Sequence, residues 1–200
     1  MSSGVRSHTV PAADRVAMSL PRLAEMKENG EPIVMVTAYD YPSATVAEAV
    51  GVDLVLVGDS AANVVLGYDR TDLVSIEEMI MLGKAVRRGL KTPLMIGDMP
   101  MGSYEASDEL AVTMAQRLIK ATGCQAVKLE AGGVSVQRAR AIVQAGIPVM
   151  GHLGLTPQTA TALGGYKTQG KSAQGAIKLF EDALALQNLI APCALLPWVL

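Results

Sequence analysis

Four stretches of this chain end an apolar run on a residue that can do chemistry. They are Leu56-Val57-Gly58-Asp59-Ser60, Met95-Ile96-Gly97-Asp98, Lys128-Leu129-Glu130 and Gly151-His152. Three successive ends carry a carboxylate and the fourth an imidazole. Carboxylates gathered at one rim repel each other unless something cationic compensates. A hard divalent ion with oxygen ligands is the economical partner, and Mg²⁺ suits a site with few protein carboxylates and several water or substrate ligands. Lys128 and Glu130 are two residues apart, so on a strand both point to one face. A charged pair on an apolar face costs several kcal/mol unless it is paired or used. Lys128 is therefore expected to hold an anionic substrate while Glu130 faces the metal. Gly58 and Gly97, just before the aspartates, let the backbone approach an ion or ligand. Any one of these signals alone is ordinary. A single Gly-Asp after a strand is usually a turn, Ser60 alone reads as a helix cap, and His152 alone reads as a supporting group. Their repetition at strand ends carries the expectation.

Such ends need elements to bring them together, and the sequence supplies them. Apolar runs at Ile33–Val36, Leu54–Val57, Leu94–Ile96, Ala126–Leu129 and Ile147–Met150 read as strands covered on both faces. Helical patterns alternate with them at 43–50, 77–88, 110–122, 134–145 and 171–186, and a first short helix at 20–28 opens with Ser19 as its cap. Cys193–Leu196 is the expected sixth strand. This alternation indicates βαβ units and a parallel α/β sheet. The choice lies between a doubly wound sheet and a (β/α)₈ barrel. No GxGxxG follows the first strand, and the polar residues sit at strand C-terminal ends, where barrel enzymes build their sites. The barrel is favoured. A complete one takes about 250 residues, so this chain is expected to form about six strands of it. Residues 1–18 read as a flexible leader and 19–200 as one incomplete barrel domain.

Composition narrows the function. With 200 residues, 50% of them hydrophobic and 18% charged, the chain supports one sizeable core. The net charge of -2 and the absence of a basic stripe argue against nucleic acid, as does an aromatic content of 4%. Cys124 and Cys193 are far apart and lack CxxC spacing, so they read as buried thiols in a reducing compartment, and a zinc site is not expected. The eleven methionines read as core filler. The N-terminal stretch has no apolar core of a signal peptide. Leu189–Leu200 is too short to span a bilayer. A cytoplasmic protein with no membrane partner is expected.

Longer motifs surround these ends: Val36-Thr37-Ala38-Tyr39-Asp40-Tyr41, Gly97-Asp98-Met99-Pro100-Met101-Gly102-Ser103-Tyr104, Ala126-Val127-Lys128-Leu129-Glu130, Gly151-His152-Leu153-Gly154-Leu155-Thr156-Pro157-Gln158 and Gly164-Gly165-Tyr166-Lys167-Thr168-Gln169-Gly170. In this order, from about Leu20 to Leu186, they resemble the ketopantoate hydroxymethyltransferases (3-methyl-2-oxobutanoate hydroxymethyltransferases). Met101 and Ala131 replace the Phe and Gly usual in that family, and neither is a ligand. The resemblance implies a (β/α)₈ barrel of the phosphoenolpyruvate/pyruvate type in a homo-oligomer, often a decamer. It implies Mg²⁺-dependent hydroxymethyl transfer from 5,10-methylenetetrahydrofolate to 3-methyl-2-oxobutanoate, giving 2-dehydropantoate in pantothenate biosynthesis. It further implies that Asp59 and Asp98 bind Mg²⁺ and Glu130 helps hold it, that Asp59, Ser60, Asp98 and Lys128 contact the keto acid, and that His152 supports the substrate.

The family's general base, a glutamate at the end of the sixth strand, would fall near Pro197 or Trp198, neither of which takes a proton. The tail after Leu186 reads as truncated or frame-shifted, no catalytic base is assigned, and weak or absent turnover is expected. Two other readings remain. One is a lyase of the isocitrate lyase/phosphoenolpyruvate mutase type, against which the segments 151–158 and 164–170 argue. The other is a non-catalytic fragment that associates with full-length copies.

Overall fold

The computed structural model describes residues 15–161, 164–165, 167–190 and 198–199. Six parallel strands lie side by side in chain order: β1 (Met35–Thr37), β2 (Leu54–Val57), β3 (Leu94–Asp98), β4 (Ala126–Glu130), β5 (Val149–Leu153) and β6 (Trp198–Val199). Helix α1 (Leu20–Glu28) precedes them. Helices α2 (Tyr41–Val50), α3 (Ala61–Val64), α4 (Ile76–Gly89), α5 (Asp108–Thr122), α6 (Ser135–Gln144) and α7 (Ala173–Ile190) lie between successive strands. The result is an incomplete β/α barrel.

Each helix starts and stops for local reasons. Ser19, Asp40, Ser75 and Ser107 cap α1, α2, α4 and α5 by accepting from the backbone N–H three residues on. Gly51 and Gly123 end α2 and α5 in the left-handed conformation. The Glu48 side chain then ties α2 to the turn before β3. Its Oε2 accepts from Lys91 N (2.7 Å) and Thr92 N (2.9 Å), and its Oε1 from Thr92 Oγ1 (2.8 Å). Arg15 Nη1 donates to Glu48 O (2.8 Å), and Met18 N donates to Thr92 O (2.7 Å).

Strand residues alternate between two cores. Val55, Val57, Met95, Val127, Leu129, Val149 and Leu153 pack with the helices. Leu54, Leu56, Leu94, Ile96, Ala126 and Met150 face the concave side, where Leu23 and Met26 of α1 join them as an apolar floor. By the same two-residue period Asp98, Lys128, Glu130 and His152 continue the concave row toward the strand C-termini.

Element ends differ from the sequence expectations. β1 begins at Met35, not Ile33, because the Val34 N–H donates to the Asp53 carboxylate (2.8 Å) instead of joining the ladder. β3 and β4 run past their apolar stretches, since Asp98 pairs in register with Lys128 and Glu130 with His152. β5 starts at Val149, because Ile147 N bonds back to Ile142 O of α6 and Pro148 has no N–H. The expected strand at Cys193–Leu196 lies outside the described residues, as do Pro197 and residues 1–14.

Candidate functional site

Register brings the polar strand ends together. Asp98 sits beside Lys128, and Glu130 beside His152, on neighbouring strands. Asp59, one turn past β2, is drawn in by its own backbone, whose N–H donates to Asp98 Oδ2 (3.1 Å). Exposure is 6% for Asp59, 1% for Asp98, 6% for Lys128, 4% for Glu130 and 5% for His152, so five ionisable groups share one desolvated pocket.

Lys128 Nζ donates to both Asp98 oxygens, at 2.9 Å and 2.8 Å. Burial drives the Asp98 carboxyl up to about 7 against the pull of Lys128, with Asp59 adding to the rise. Burial likewise raises Glu130 to about 7, although the Gln158 N–H opposes it. Burial lowers His152 to about 4, and the Lys128 charge pushes the same way, so the imidazole is neutral at neutral pH. The carboxylates lift Lys128 above its ordinary value despite burial, so it remains an ammonium. One cation therefore serves three carboxyl groups.

Among the described residues, buried polar side-chain atoms without a partner are Thr71 Oγ1 and, in this pocket, atoms of Glu130 and His152. Glu130 Oε2 and both His152 ring nitrogens have no hydrogen-bond partner, with His152 Nδ1 4.0 Å from Glu130 Oε1. Buried unsatisfied groups of this kind are costly and mark places where a ligand completes the network. Among the described residues no three His, Cys, Asp or Glu side chains already stand as a metal-binding group. Both Asp98 oxygens are engaged by Lys128, and one oxygen of Asp59 and one of Glu130 are held by Gln158. Ser60, expected to contact the keto acid and with helix capping as its plainer alternative, makes no side-chain cap bond. Its hydroxyl instead shares a hydrogen bond with the Tyr39 hydroxyl (2.8 Å).

Three residues here carried no role in the sequence reading. Gln158, 3% exposed, lies in the 3₁₀ turn Pro157–Thr159. Its Nε2 donates to Asp59 Oδ2 (2.9 Å) and Met99 O (3.0 Å), and its backbone N–H donates to Glu130 Oε1 (3.0 Å). Tyr104 donates its hydroxyl to Gln158 Oε1 (2.6 Å). Tyr39 holds Ser60. All three fall in or next to the motif segments, and the signal that singles them out is a polar side chain placed soon after a strand end. A second 3₁₀ turn, Thr71–Leu73, lies against Pro157–Thr159. Beside Glu130 opens a cleft of about 430 Å³, with Tyr104, Gly132, Gly154, Thr156 and Gln169 among its lining residues. Among the described residues no helix is long and apolar enough to cross a membrane.

The fold has solved counterparts. The crystal structure of 2,3-dimethylmalate lyase, a PEP mutase/isocitrate lyase superfamily member, superposes with a TM-score of 0.59 at 17% identity, covering 87% of this chain and 59% of that one. Identity at that level carries the fold alone. Sequence relatives are nearer. The 3-methyl-2-oxobutanoate hydroxymethyltransferase of Carboxydothermus hydrogenoformans is 55% identical over 175 residues, 88% of this chain and 63% of that protein. The mitochondrial 3-methyl-2-oxobutanoate hydroxymethyltransferase 1 of Arabidopsis thaliana is 49% identical over 172 residues, 86% of this chain and 50% of that protein. The chain thus spans less than two thirds of the length of these relatives. The family model for ketopantoate hydroxymethyltransferase matches residues 17–197, nearly the whole sequence. With that match and relatives at this identity, the chain belongs to the ketopantoate hydroxymethyltransferase family.

Proposed function

We propose that this chain carries the metal- and keto-acid-binding part of a hydroxymethyltransferase site that moves a one-carbon unit from 5,10-methylenetetrahydrofolate to 3-methyl-2-oxobutanoate. The observation that carries the reading is the buried group of Asp59, Asp98, Glu130 and Lys128 on the concave rim. A divalent cation fits it on two grounds. Glu130 Oε2 is buried without a partner, and the Asp98 and Glu130 carboxyls, both raised to about 7, regain their charge beside a cation. An all-oxygen donor set suits Mg²⁺. Asp59, Asp98 and Glu130 would hold it. When bound, it supplies Lewis acidity to the keto acid's oxygens.

The chain's own groups do the rest. The Lys128 ammonium balances the carboxylate of the keto acid, and its place in a dry pocket strengthens that attraction. The Ser60 hydroxyl, fixed by Tyr39, offers a further hydrogen bond. His152 is neutral, and one ring nitrogen donates while the other accepts. The cleft beside Glu130 gives the one-carbon donor access. The Pro157–Thr159 turn, whose Gln158 bonds both Asp59 and Glu130, limits water there.

By resemblance the family's base would fall near Pro197 or Trp198, neither of which takes a proton, so turnover by this chain is proposed to lie about 10²–10⁴-fold below that of a relative with the base. Association with further copies of the family and residence in the cytoplasm belong to the same proposal. Calorimetry with MgCl₂ and 3-methyl-2-oxobutanoate tests binding, and mass-spectrometric detection of 2-dehydropantoate tests transfer. Binding of the keto acid only when Mg²⁺ is present, with slow transfer, is expected. Absence of metal-dependent binding, or cleavage of a hydroxy diacid instead of transfer, overturns the proposal.

A further inference from the structure

Among the described residues, Gln158 is the one whose hydrogen bonds reach two of the three carboxylates. It lies 99 residues from Asp59 in sequence and 28 from Glu130. Its amide orientation follows from its neighbours. Met99 O only accepts, so the nitrogen must face it, and that nitrogen also meets Asp59 Oδ2. The oxygen then faces the Tyr104 hydroxyl, which donates to it. Tyr104 is itself 2% exposed, and the surrounding carboxylates and burial keep its hydroxyl protonated. The amide therefore cannot flip without losing both the Asp59 and the Met99 bonds, since two acceptors would then face its oxygen. Through its side chain and its backbone N–H, Gln158 takes up one oxygen of Asp59 and one of Glu130. The other Glu130 oxygen, Oε2, is left buried and unpartnered.

We infer that Gln158 is a positioning residue, oriented by Tyr104, that aims the free oxygens of Asp59 and Glu130 at the divalent cation and the keto acid. The inference rests on the reading of the site given above and assigns to it a residue from a loop that touches neither β2 nor β4 in sequence. Groups that orient metal ligands by hydrogen bonding typically change metal affinity by about 10–100-fold when removed. The backbone N–H to Glu130 survives any side-chain replacement other than proline, so a side-chain variant isolates the Asp59 arm.

The test uses Mn²⁺ as a paramagnetic stand-in for Mg²⁺, with bound ion read by electron paramagnetic resonance and thermal melting recorded without metal. Gln158→Leu keeps similar bulk and removes the amide. It is expected to weaken Mn²⁺ binding by about tenfold or more. Gln158→Glu keeps the oxygen facing Tyr104 but sets a carboxyl against Asp59 and Met99 O, and is expected to weaken it at least as far. Tyr104→Phe leaves the amide in place but unsteered, with a loss between parent and Gln158→Leu. If Gln158→Leu fails to fold, Tyr104→Phe and Gln158→Glu decide the matter in the same way. A parent that binds Mn²⁺ alongside variants that bind it equally well, with only a lower melting temperature, overturns the inference and leaves the functional reading standing. A parent that binds no Mn²⁺ overturns both.

Discussion

Lys128→Met tests the electrostatics of the pocket without needing any substrate. The side chain is nearly isosteric, and the change removes the one ammonium that meets both Asp98 oxygens at 2.8–2.9 Å. Breaking a buried pair by removing one partner costs about 3–5 kcal/mol when the other stays charged. Here the survivor has an escape, because Asp98 can take a proton. In the parent its carboxyl is raised to about 7, while in the unfolded chain it titrates near 3.9. A carboxyl raised on folding lowers stability as pH climbs from the unfolded value to the folded one, since the unfolded state releases its proton first. In the parent that fall stops near pH 7. Without Lys128, which pulls Asp98 down, the fall continues to higher pH. Glu130 follows the same course, because Lys128 lowers it too. The difference between variant and parent should thus be small near pH 6. For Asp98 alone it should grow by up to about 1.4 kcal/mol per pH unit above 7, reaching roughly 2 kcal/mol near pH 8.5, with Glu130 adding to it. Urea unfolding at the two pH values measures it. A difference that is flat with pH, or that shrinks on the alkaline side, refutes the assignment of Lys128 as the charge that keeps Asp98 ionisable.

Two further predictions concern the scaffold. Glu48 has its pKa lowered, because burial, which raises it, is outweighed by the bonds from Thr92 and Lys91. Glu48→Gln should cost about 1–3 kcal/mol at neutral pH. The cost should fade in acid, as pH falls below the ordinary glutamate value and through the lowered folded one and the parent carboxylate protonates, and urea titrations at the two ends check the sign. Gly89→Ala sets two effects against each other. Alanine at a helix position gains about 0.5–1 kcal/mol over glycine, but its Cβ would lie 2.7 Å from Ala44 Cβ and 3.0 Å from Tyr41 O. Backbone cannot yield as a flexible side chain does, and overpacking costs about 1–3 kcal/mol. A net loss is expected, and a melting temperature equal to or above the parent's would show that α2 and α4 separate freely.

Much of this was legible in the sequence, and the shortfalls have physical causes. Helices with strong caps, such as α4 from Ser75 and α5 ending at Gly123, are fixed by local bonds, so their existence follows from residue order. Strand ends were misplaced where polar residues stay in the ladder: hydropathy stops at Ile96, whereas pairing continues through Asp98 to Lys128. The groups Asp59, Asp98, Glu130 and His152 were visible because each follows an apolar run, and Lys128 because it interrupts one two residues before Glu130. Gln158 and Tyr104 were not, because their bonds close across 28 to 99 residues and their one local mark, a polar side chain soon after a strand end, is common. The 3₁₀ turns Thr71–Leu73 and Pro157–Thr159 were too short for periodicity to show.

The interleaving of the two cores along each strand makes β4 unforgiving of insertions. One extra residue ahead of Val127 would rotate Lys128 and Glu130 outward beneath α5 and α6 and swing Val127 and Leu129 into the pocket. A single codon would exchange ion pair for grease on both sides of the sheet at once. Substitutions, by contrast, can retune the concave row while its outward neighbours keep the helices seated, so point changes are the route by which a pocket of this design can drift to new ligands.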